Sequence, residues 1–152
     1  MPQYMTGNMF DVFNLVDHFL ITTNSTIKNN GELVMGRGIA KLVKDLWPDF
    51  PLHAGTQICA SLNVPNVPGV KGQYGVILGP RIGLFQVKYH FQASADLNLI
   101  RASTQSLLGY ATDNPSKAIA LNFPGIGNGQ RSIEEVKPII DILPDNVQIW
   151  SF

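Results

Sequence analysis

Residues 118–140 read AIALNFPGIGNGQRSIEEVKPII, and this stretch decides the fold. Its apolar start is typical of a buried strand, and its three glycines predict a loop. Ser132 and Glu135 then form a capping-box pattern, which predicts that a helix follows. Glycine loses more conformational freedom on folding than any other residue. Three glycines at a strand-to-helix junction therefore indicate that the loop needs unusual dihedral angles or a close approach to another group.

The rest of the chain repeats this alternation. We expect strands at residues 3–9, 18–23, 117–121 and 146–152, and a hairpin of residues 73–78 with 82–87 around Gly79-Pro80-Arg81. We expect helices from Met35 to Leu46, after a cap at Ser94, and after Ser132 with Ile133, Val136 and Ile140 on its inner face. Residues 62–72 predict a loop. The pattern predicts one α/β domain over residues 1–152, with a mixed or parallel sheet between helices.

The composition excludes several classes of protein. An apolar fraction of 45% with 14% charged residues is ordinary for a globular domain. Eleven basic residues balance eleven acidic ones, so contact with nucleic acid would be local, at residues such as Lys41, Lys44 and Arg131. Cys59 is the only cysteine, which excludes an internal disulfide. No stretch approaches the ~20 apolar residues of a membrane span, and the N-terminus lacks the pattern of a signal peptide, so we expect a cytoplasmic protein.

A second glycine cluster, Gly36-Arg37-Gly38, precedes the helix that starts near Ile39. Helix N-termini expose unpaired N–H groups and favour anions, and glycines let the backbone approach phosphate oxygens. Two such loops in one crevice could hold a pyrophosphate. Neither loop has the Walker or the Rossmann pattern. Each loop alone is better explained as a tight turn between packed elements, whereas two loops in the same strand–loop–helix context favour phosphate binding.

Three side chains are candidates for the chemistry. Asn24 follows the second strand, where it could hold sugar hydroxyls or satisfy loop backbone. Lys88 stands at the end of the strand that contains Phe85, Gln86 and Val87. Partial burial can lower the pKa of a lysine, so that its neutral amine acts as a nucleophile, although a solvated lysine after a strand is commoner. His90 is either an aromatic at the edge of the core or a ligand contact. No HExxH, paired-histidine or GxSxG pattern occurs, so we expect no metal site and no serine triad.

Four stretches, taken in order, resemble the macro domain family, whose members bind ADP-ribose. They are 7-GNMF-10, 17-DHFLITTNST-26, 34-VMGRGIAKLVK-44 and 121-LNFPGIGNGQRSIEEVKPII-140. Together they span nearly the whole chain, and the resemblance implies a three-layer α/β/α fold with a mixed central sheet. MGRGIA, 85-FQVKYHF-91 and GIGNG are most similar to the DNA ADP-ribosyl glycohydrolase antitoxins and the terminal ADP-ribose protein glycohydrolases. In that subgroup a lysine at the position of Lys88 is catalytic.

The resemblance also implies roles for individual residues. Asn24 would orient the distal ribose for Lys88, while Asn8 and Met9 would meet the adenine. The residues implied at the phosphates are Gly36, Gly38, Ile39, Pro124, Gly125, Ile126, Gly127, Asn128 and Gly129. Two positions depart from the family pattern. Asn8 stands where an aspartate is usual, and Gly129 with Gln130 stands where the protein glycohydrolases have a catalytic aspartate.

Three functions follow as expectations. The first is a hydrolase without a cofactor, which removes ADP-ribose from a nucleic-acid or protein acceptor through Lys88. The second is a reader that binds ADP-ribose without turnover, since binding and hydrolysis share the same loops. The third is a phosphatase acting on ADP-ribose 1″-phosphate, which would need an acid–base group such as His90. The residues leave open the acceptor and the oligomeric state.

Overall fold

The computed structural model describes residues 1–61, 75–79 and 81–152. Its strands are β1 (Gln3–Thr6), β2 (His18–Thr23), β3 (Val76–Ile77), β4 (Ile82–Gln86), β5 (Ile119–Asn122) and β6 (Val147–Ser151). Its α-helices are α1 (Gly38–Leu46), α2 (Phe50–Ser61), α3 (Leu97–Asp113) and α4 (Ile133–Ile140), and short 3₁₀ turns cover Met9–Val12 and Gly127–Gly129. None of the helices in these ranges is long and apolar enough to cross a membrane.

The described strands form one mixed sheet in the order β1-β6-β5-β2-β4-β3. β3 runs antiparallel to β4, while every other pair of neighbours is parallel. The parallel strands are joined by helical crossovers, as parallel pairing requires. The mixed sheet and the alternation of strands with helices are therefore confirmed.

Two hydrophobic cores lie on opposite faces of this sheet. Successive residues of β2 point to opposite faces, so Phe19 and Ile21 join one core while Leu20 joins the other. The first core includes Ile39, Val43, Ala54 and Ile58 of α1 and α2. The second includes Ile100, Leu107, Val136 and Ile140 of α3 and α4. Helices thus cover both faces, and the three-layer α/β/α arrangement is confirmed.

One of the two predicted helix caps is correct. Ser132 and Glu135 form a complete capping box at the start of α4. The cap of α3 is Asp96 and not Ser94. Asp96 directly precedes the helix, and its carboxylate accepts from the N–H groups of residues 98 and 99 in the first turn. The inner face predicted for α4 is wrong at Ile133, whose side chain is 48% exposed in the first turn of the helix.

Other boundaries differ from the prediction. β1 ends at Thr6, since Gly7 turns the chain with φ +135° and Asn8 caps the 3₁₀ turn that follows. The sequence did not predict α2, which begins two residues after Pro48. β3 and β4 confirm the hairpin in its described part, while residues 73, 74 and 80 and the loop at 62–72 lie outside the described residues.

Candidate functional site

The two central strands of the sheet, β2 and β5, separate at their carboxyl ends. β2 and β5 pair only as far as Leu20 and Leu121. Beyond that point the side chain of Asn122 replaces the ladder: its Oδ1 accepts from Thr22 N (2.9 Å) and its Nδ2 donates to Thr22 Oγ1 (2.8 Å). The chain leaves β2 and β5 toward opposite edges of the sheet. A crevice at such a switch point is where α/β sheets bind ligands.

A cleft of about 740 Å³ lies over this parting. Both glycine loops, the ends of the strands and residues 87, 88 and 91–93 line it. Arg37 and Lys88 contribute two positive charges, and no aspartate or glutamate stands among the lining residues that the structure describes. A cleft with this charge favours an anionic ligand.

Asn24 fixes the path of the first glycine loop. Its Oδ1 accepts from Thr26 N and its Nδ2 donates to Val34 O, both at 2.9 Å. The side chain is buried, yet it lines the cleft. Asn24 therefore satisfies loop backbone, and in doing so it holds the segment that leads to Gly36 beside the ends of β2 and β4.

The first glycine loop presents open backbone to the cleft. In the described chain, no acceptor pairs with the N–H groups of residues 36 to 39. Gly38 has φ +61°, a left-handed conformation that turns the chain into α1. Gly36 has no such need, and a Cβ atom placed on it would meet nothing within 4 Å. The missing side chain of Gly36 thus keeps the cleft open.

The second glycine loop combines the same two uses of glycine. Gly125 has φ +78°, and a Cβ atom there would lie 2.8 Å from Ile100 Cδ1. Gly127 has φ +65°, but a Cβ atom there would point into open space. Within the described ranges, the N–H groups of residues 126 to 128 have no acceptor. Gln130 closes the loop at φ 62°, which is uncommon for a residue other than glycine.

The segment before α3 holds this second loop in place. Ala95 N donates to Gly129 O (2.8 Å), and Arg131 Nε donates back to Ala95 O (2.7 Å). Ser94 Oγ donates to Gln130 Oε1 (3.0 Å). Ser94 therefore serves the loop instead of the helix that it was predicted to cap.

The two glycine loops meet across the cleft. A Cβ atom placed on Gly38 would lie 3.2 Å from Asn128 Nδ2. The side chain of Asn128 therefore lies against the backbone of Gly38, and the juxtaposition expected for a pyrophosphate site is present in the geometry.

Lys88 stands beside the first loop, two residues after β4. Its Nζ donates to Ala93 O (3.2 Å), and its carbonyl accepts from Ser25 Oγ (3.2 Å). Burial lowers the pKa of the Lys88 ammonium below its ordinary value, and the nearby charge of Arg37 lowers it further. A lysine with a lowered pKa has a larger neutral fraction, which a nucleophile needs.

The two residues after Tyr89 form an aromatic pair at the mouth of the cleft. The rings of His90 and Phe91 stack with their centroids 4.7 Å apart, and His90 Nδ1 accepts from Gln92 N. Phe91 lines the cleft, whereas His90 is not among its lining residues. The side chain of His90 is therefore not among the groups that line the cleft with Lys88.

A second, more open depression adjoins the cleft at Phe152, which lines both. Its other lining residues are Gly7, Asn8, Phe10, Leu42, Asp45 and Leu46. Asn8 Oδ1 accepts from Phe10 N (3.0 Å). The Met9 side chain is fully buried in the core and lines neither depression, and Pro124, also buried, is absent from both linings.

The structure adds residues that the sequence did not single out for the site. They are Thr22, Arg37, Phe91, Asn122, Trp150 and Phe152. The sequence could have predicted that Arg37 belongs to the site, because it is a cation between two glycines. It could not have predicted this for Asn122, whose place depends on where two strands distant in sequence separate. No group of three or more histidine, cysteine, aspartate or glutamate side chains within the described residues could hold a metal ion.

Comparisons with known proteins identify the fold. No family model and no curated protein matches the chain. The macrodomain of Thermus aquaticus DarG matches with a TM-score of 0.70 at 23% identity, covering 99% of this chain and 96% of that one. The macrodomain of Mycobacterium tuberculosis DarG also gives 0.70, at 24% identity over 100% and 98%. Thermosipho africanus DarTG in complex with ADP-ribose gives 0.66 at 20% identity, covering 97% of this chain and 41% of that one. The chain has the macrodomain fold.

Proposed function

We propose that the cleft binds ADP-ribose and that Lys88 releases it from an acceptor. The observation that carries the proposal is a cleft with two cations, unpaired N–H groups on two facing loops and no aspartate or glutamate among its described lining residues. Such a site matches the two negative charges of a diphosphate. The Thermosipho africanus protein of the same fold is recorded with ADP-ribose.

The positions of the two depressions imply an orientation for the bound ADP-ribose. The apolar depression at Phe152 and Leu42 suits a flat base, and Asn8 at its edge offers an amide in place of the usual aspartate. The diphosphate would follow beneath Gly38 and Asn128, where the two loops meet. The distal ribose would then lie over the ends of β2 and β4, beside Lys88.

The chemistry would proceed at C1″ of that ribose. The neutral amine of Lys88 would form a bond to C1″ while the bond from C1″ to the acceptor breaks, and the acceptor would leave with the electron pair and take up a proton. Water would then replace the amine at C1″ and release ADP-ribose. Glycosidases that work through two carboxylates have no counterpart here, because the described lining contains none.

One observation favours a reader as the second candidate. Lys88 Nζ already donates to Ala93 O, so the amine has a structural partner within the protein. A lysine held in this way could bind a ligand oxygen without attacking the sugar. The phosphatase alternative draws less support, because His90 is not among the lining residues.

A binding measurement and a release assay test the proposal. Calorimetry with ADP-ribose comes first, since a protein that shows no binding would have only the fold in common with its structural neighbours. Release would then be assayed from ADP-ribosylated DNA, ADP-ribosylated protein and ADP-ribose 1″-phosphate. Lys88→Ala should bind ADP-ribose but release nothing. The matched control is Lys117→Ala, which removes an exposed lysine directly before β5, at the far end of the sheet.

Each outcome decides between the candidates. Release that persists in Lys88→Ala would exclude the lysine mechanism. Binding of ADP-ribose without release from any of the three substrates would establish the reader instead.

A further inference from the structure

Arg37 differs from the other arginines of the chain. The sequence has four, and Arg81, Arg101 and Arg131 each donate to an acceptor in the structure. The guanidinium of Arg37 donates to none of the described residues, although its side chain lines the cleft. A guanidinium has five donors in a planar fork, so an unpaired one in a cleft has its full binding capacity available.

Arg37 lines the same cleft as the residues whose N–H groups are unpaired. Its φ of −148° and ψ of 162° are extended, and Gly38 at φ +61° turns the chain directly into α1. Arg37 occupies the N-cap position, yet its side chain makes no capping hydrogen bond. Gly36 leaves open space on its other side. The guanidinium and the amides of the first turn of α1 therefore belong to residues that line one cleft.

Lys88 lines the same cleft and adds a second positive charge near Arg37. No aspartate or glutamate side chain among the described lining residues neutralises either cation. The other ionisable groups near Lys88 are Tyr89 and His90 on its own segment, while across the cleft Arg131 is held by Ala95 O and by Glu135. An anion bound at Arg37 would reduce the repulsion between Arg37 and Lys88. The affinity for an anionic ligand therefore depends on both cations together.

We propose that Arg37 selects ligands with a diphosphate: its guanidinium binds the pyrophosphate oxygens in a bidentate manner, which leaves Lys88 for the distal ribose. This inference rests on the proposed function and adds a residue to it. Arginine suits the task because its fork matches two phosphate oxygens, whereas a lysine ammonium acts as a point charge.

The test is calorimetry of ADP-ribose with wild type, Arg37→Gln and Arg37→Lys at two salt concentrations. Arg101→Gln is the matched control, since it removes the same charge from an exposed position on α3. We expect Arg37→Gln to weaken binding about 10- to 100-fold, the range for a lost charge-assisted hydrogen bond. It should also reduce the salt dependence of the affinity, while Arg37→Lys should retain the salt dependence and lose part of the affinity.

Thermal melting separates this result from misfolding. The melting temperature of Arg37→Gln should equal that of the wild type, because Arg37 has no partner to lose among the described residues. Equal affinities for Arg37→Gln and Arg101→Gln would overturn the role of Arg37 while leaving the proposed function standing. A wild type that does not bind ADP-ribose would instead overturn the proposed function and this inference with it.

Discussion

The side-chain amide of Asn122 binds both the backbone N–H and the hydroxyl of Thr22. It does so where β2 and β5 stop pairing, and Asn122 is itself buried at the floor of the cleft. The amide thereby supplies the hydrogen bond that the absent ladder would have made. The parting of the strands, which creates the cleft, thus leaves no unpaired N–H at Thr22.

Two substitutions of Asn122 separate stability from binding. Asn122→Ala leaves the part-buried Thr22 N–H without its acceptor, and should lower the free energy of unfolding by about 1 kcal/mol. Asn122→Asp keeps an acceptor for that N–H, so it should cost less stability. Its negative charge enters a cleft without carboxylates and should weaken ADP-ribose binding more than Asn122→Ala does. Urea unfolding and calorimetry measure the two effects, and equal losses of affinity in both variants would contradict the electrostatic argument.

The glycines of the two loops should respond differently to alanine. Gly125→Ala combines a left-handed φ with a contact of 2.8 Å to Ile100 Cδ1, so we expect a loss of at least about 1 kcal/mol in unfolding free energy. Gly36→Ala meets nothing, so its stability should stay within about 0.5 kcal/mol of the wild type. The new methyl group should nevertheless weaken ADP-ribose binding, since it occupies the cleft.

Gly109→Ala provides the control for these glycine variants. Gly109 is exposed within α3, where a Cβ atom meets nothing within 4 Å. Alanine should stabilise the helix there by about 0.5–1 kcal/mol and leave ADP-ribose affinity unchanged. Unchanged affinity in Gly36→Ala would show that the open space at that position is not used by the ligand.

The pH dependence of turnover should report Lys88. Burial and Arg37 both lower the pKa of its ammonium, and the proposed mechanism needs the neutral amine. Release should therefore rise with pH, with a midpoint of kcat/KM below the ordinary lysine value of about 10.4. Arg37→Gln removes a positive neighbour, so it should raise the pKa of Lys88 and move the rising limb to higher pH. A midpoint that is the same in both proteins would contradict the coupling of the two cations.

Gln130 offers a test of acceptor choice. It lines the cleft where the protein glycohydrolases that the chain resembles have a catalytic aspartate. Gln130→Asp should raise release from ADP-ribosylated protein above that of the wild type. Gln130→Asn is the matched control, because asparagine tolerates the left-handed conformation equally and adds no charge. A rise in both variants would show that the backbone at this position, and not a carboxylate, limits the reaction.

Local patterns were sufficient for much of the fold. β2 has the predicted bounds of residues 18–23, because its apolar and β-branched run is buried on both faces. The capping box at Ser132 was also readable, since it depends only on residues three apart. Both glycine loops stand where the sequence places them, at junctions that follow a strand or precede a helix.

Long-range packing explains what the sequence missed. α2 contains Pro51 and Gly55, which weaken a helical pattern. Gly55 is needed because a Cβ atom there would lie 2.0 Å from Gly31 O, a contact between distant segments that no local pattern reports. Met9 stands in the predicted base-binding motif, yet its side chain fills the core, since the turn after Gly7 directs it inward.

The contact of Asn128 with Gly38 has a consequence for kinetics. A ligand that lies beneath both loops would be covered there by the Asn128 side chain, which would have to move away from Gly38 for the loops to separate. Association would then be slower than diffusion allows, and residence time would depend on how often the loops separate. Shortening this residue by Asn128→Ala should accelerate both entry and exit, which a stopped-flow experiment would register even if the equilibrium affinity hardly changed.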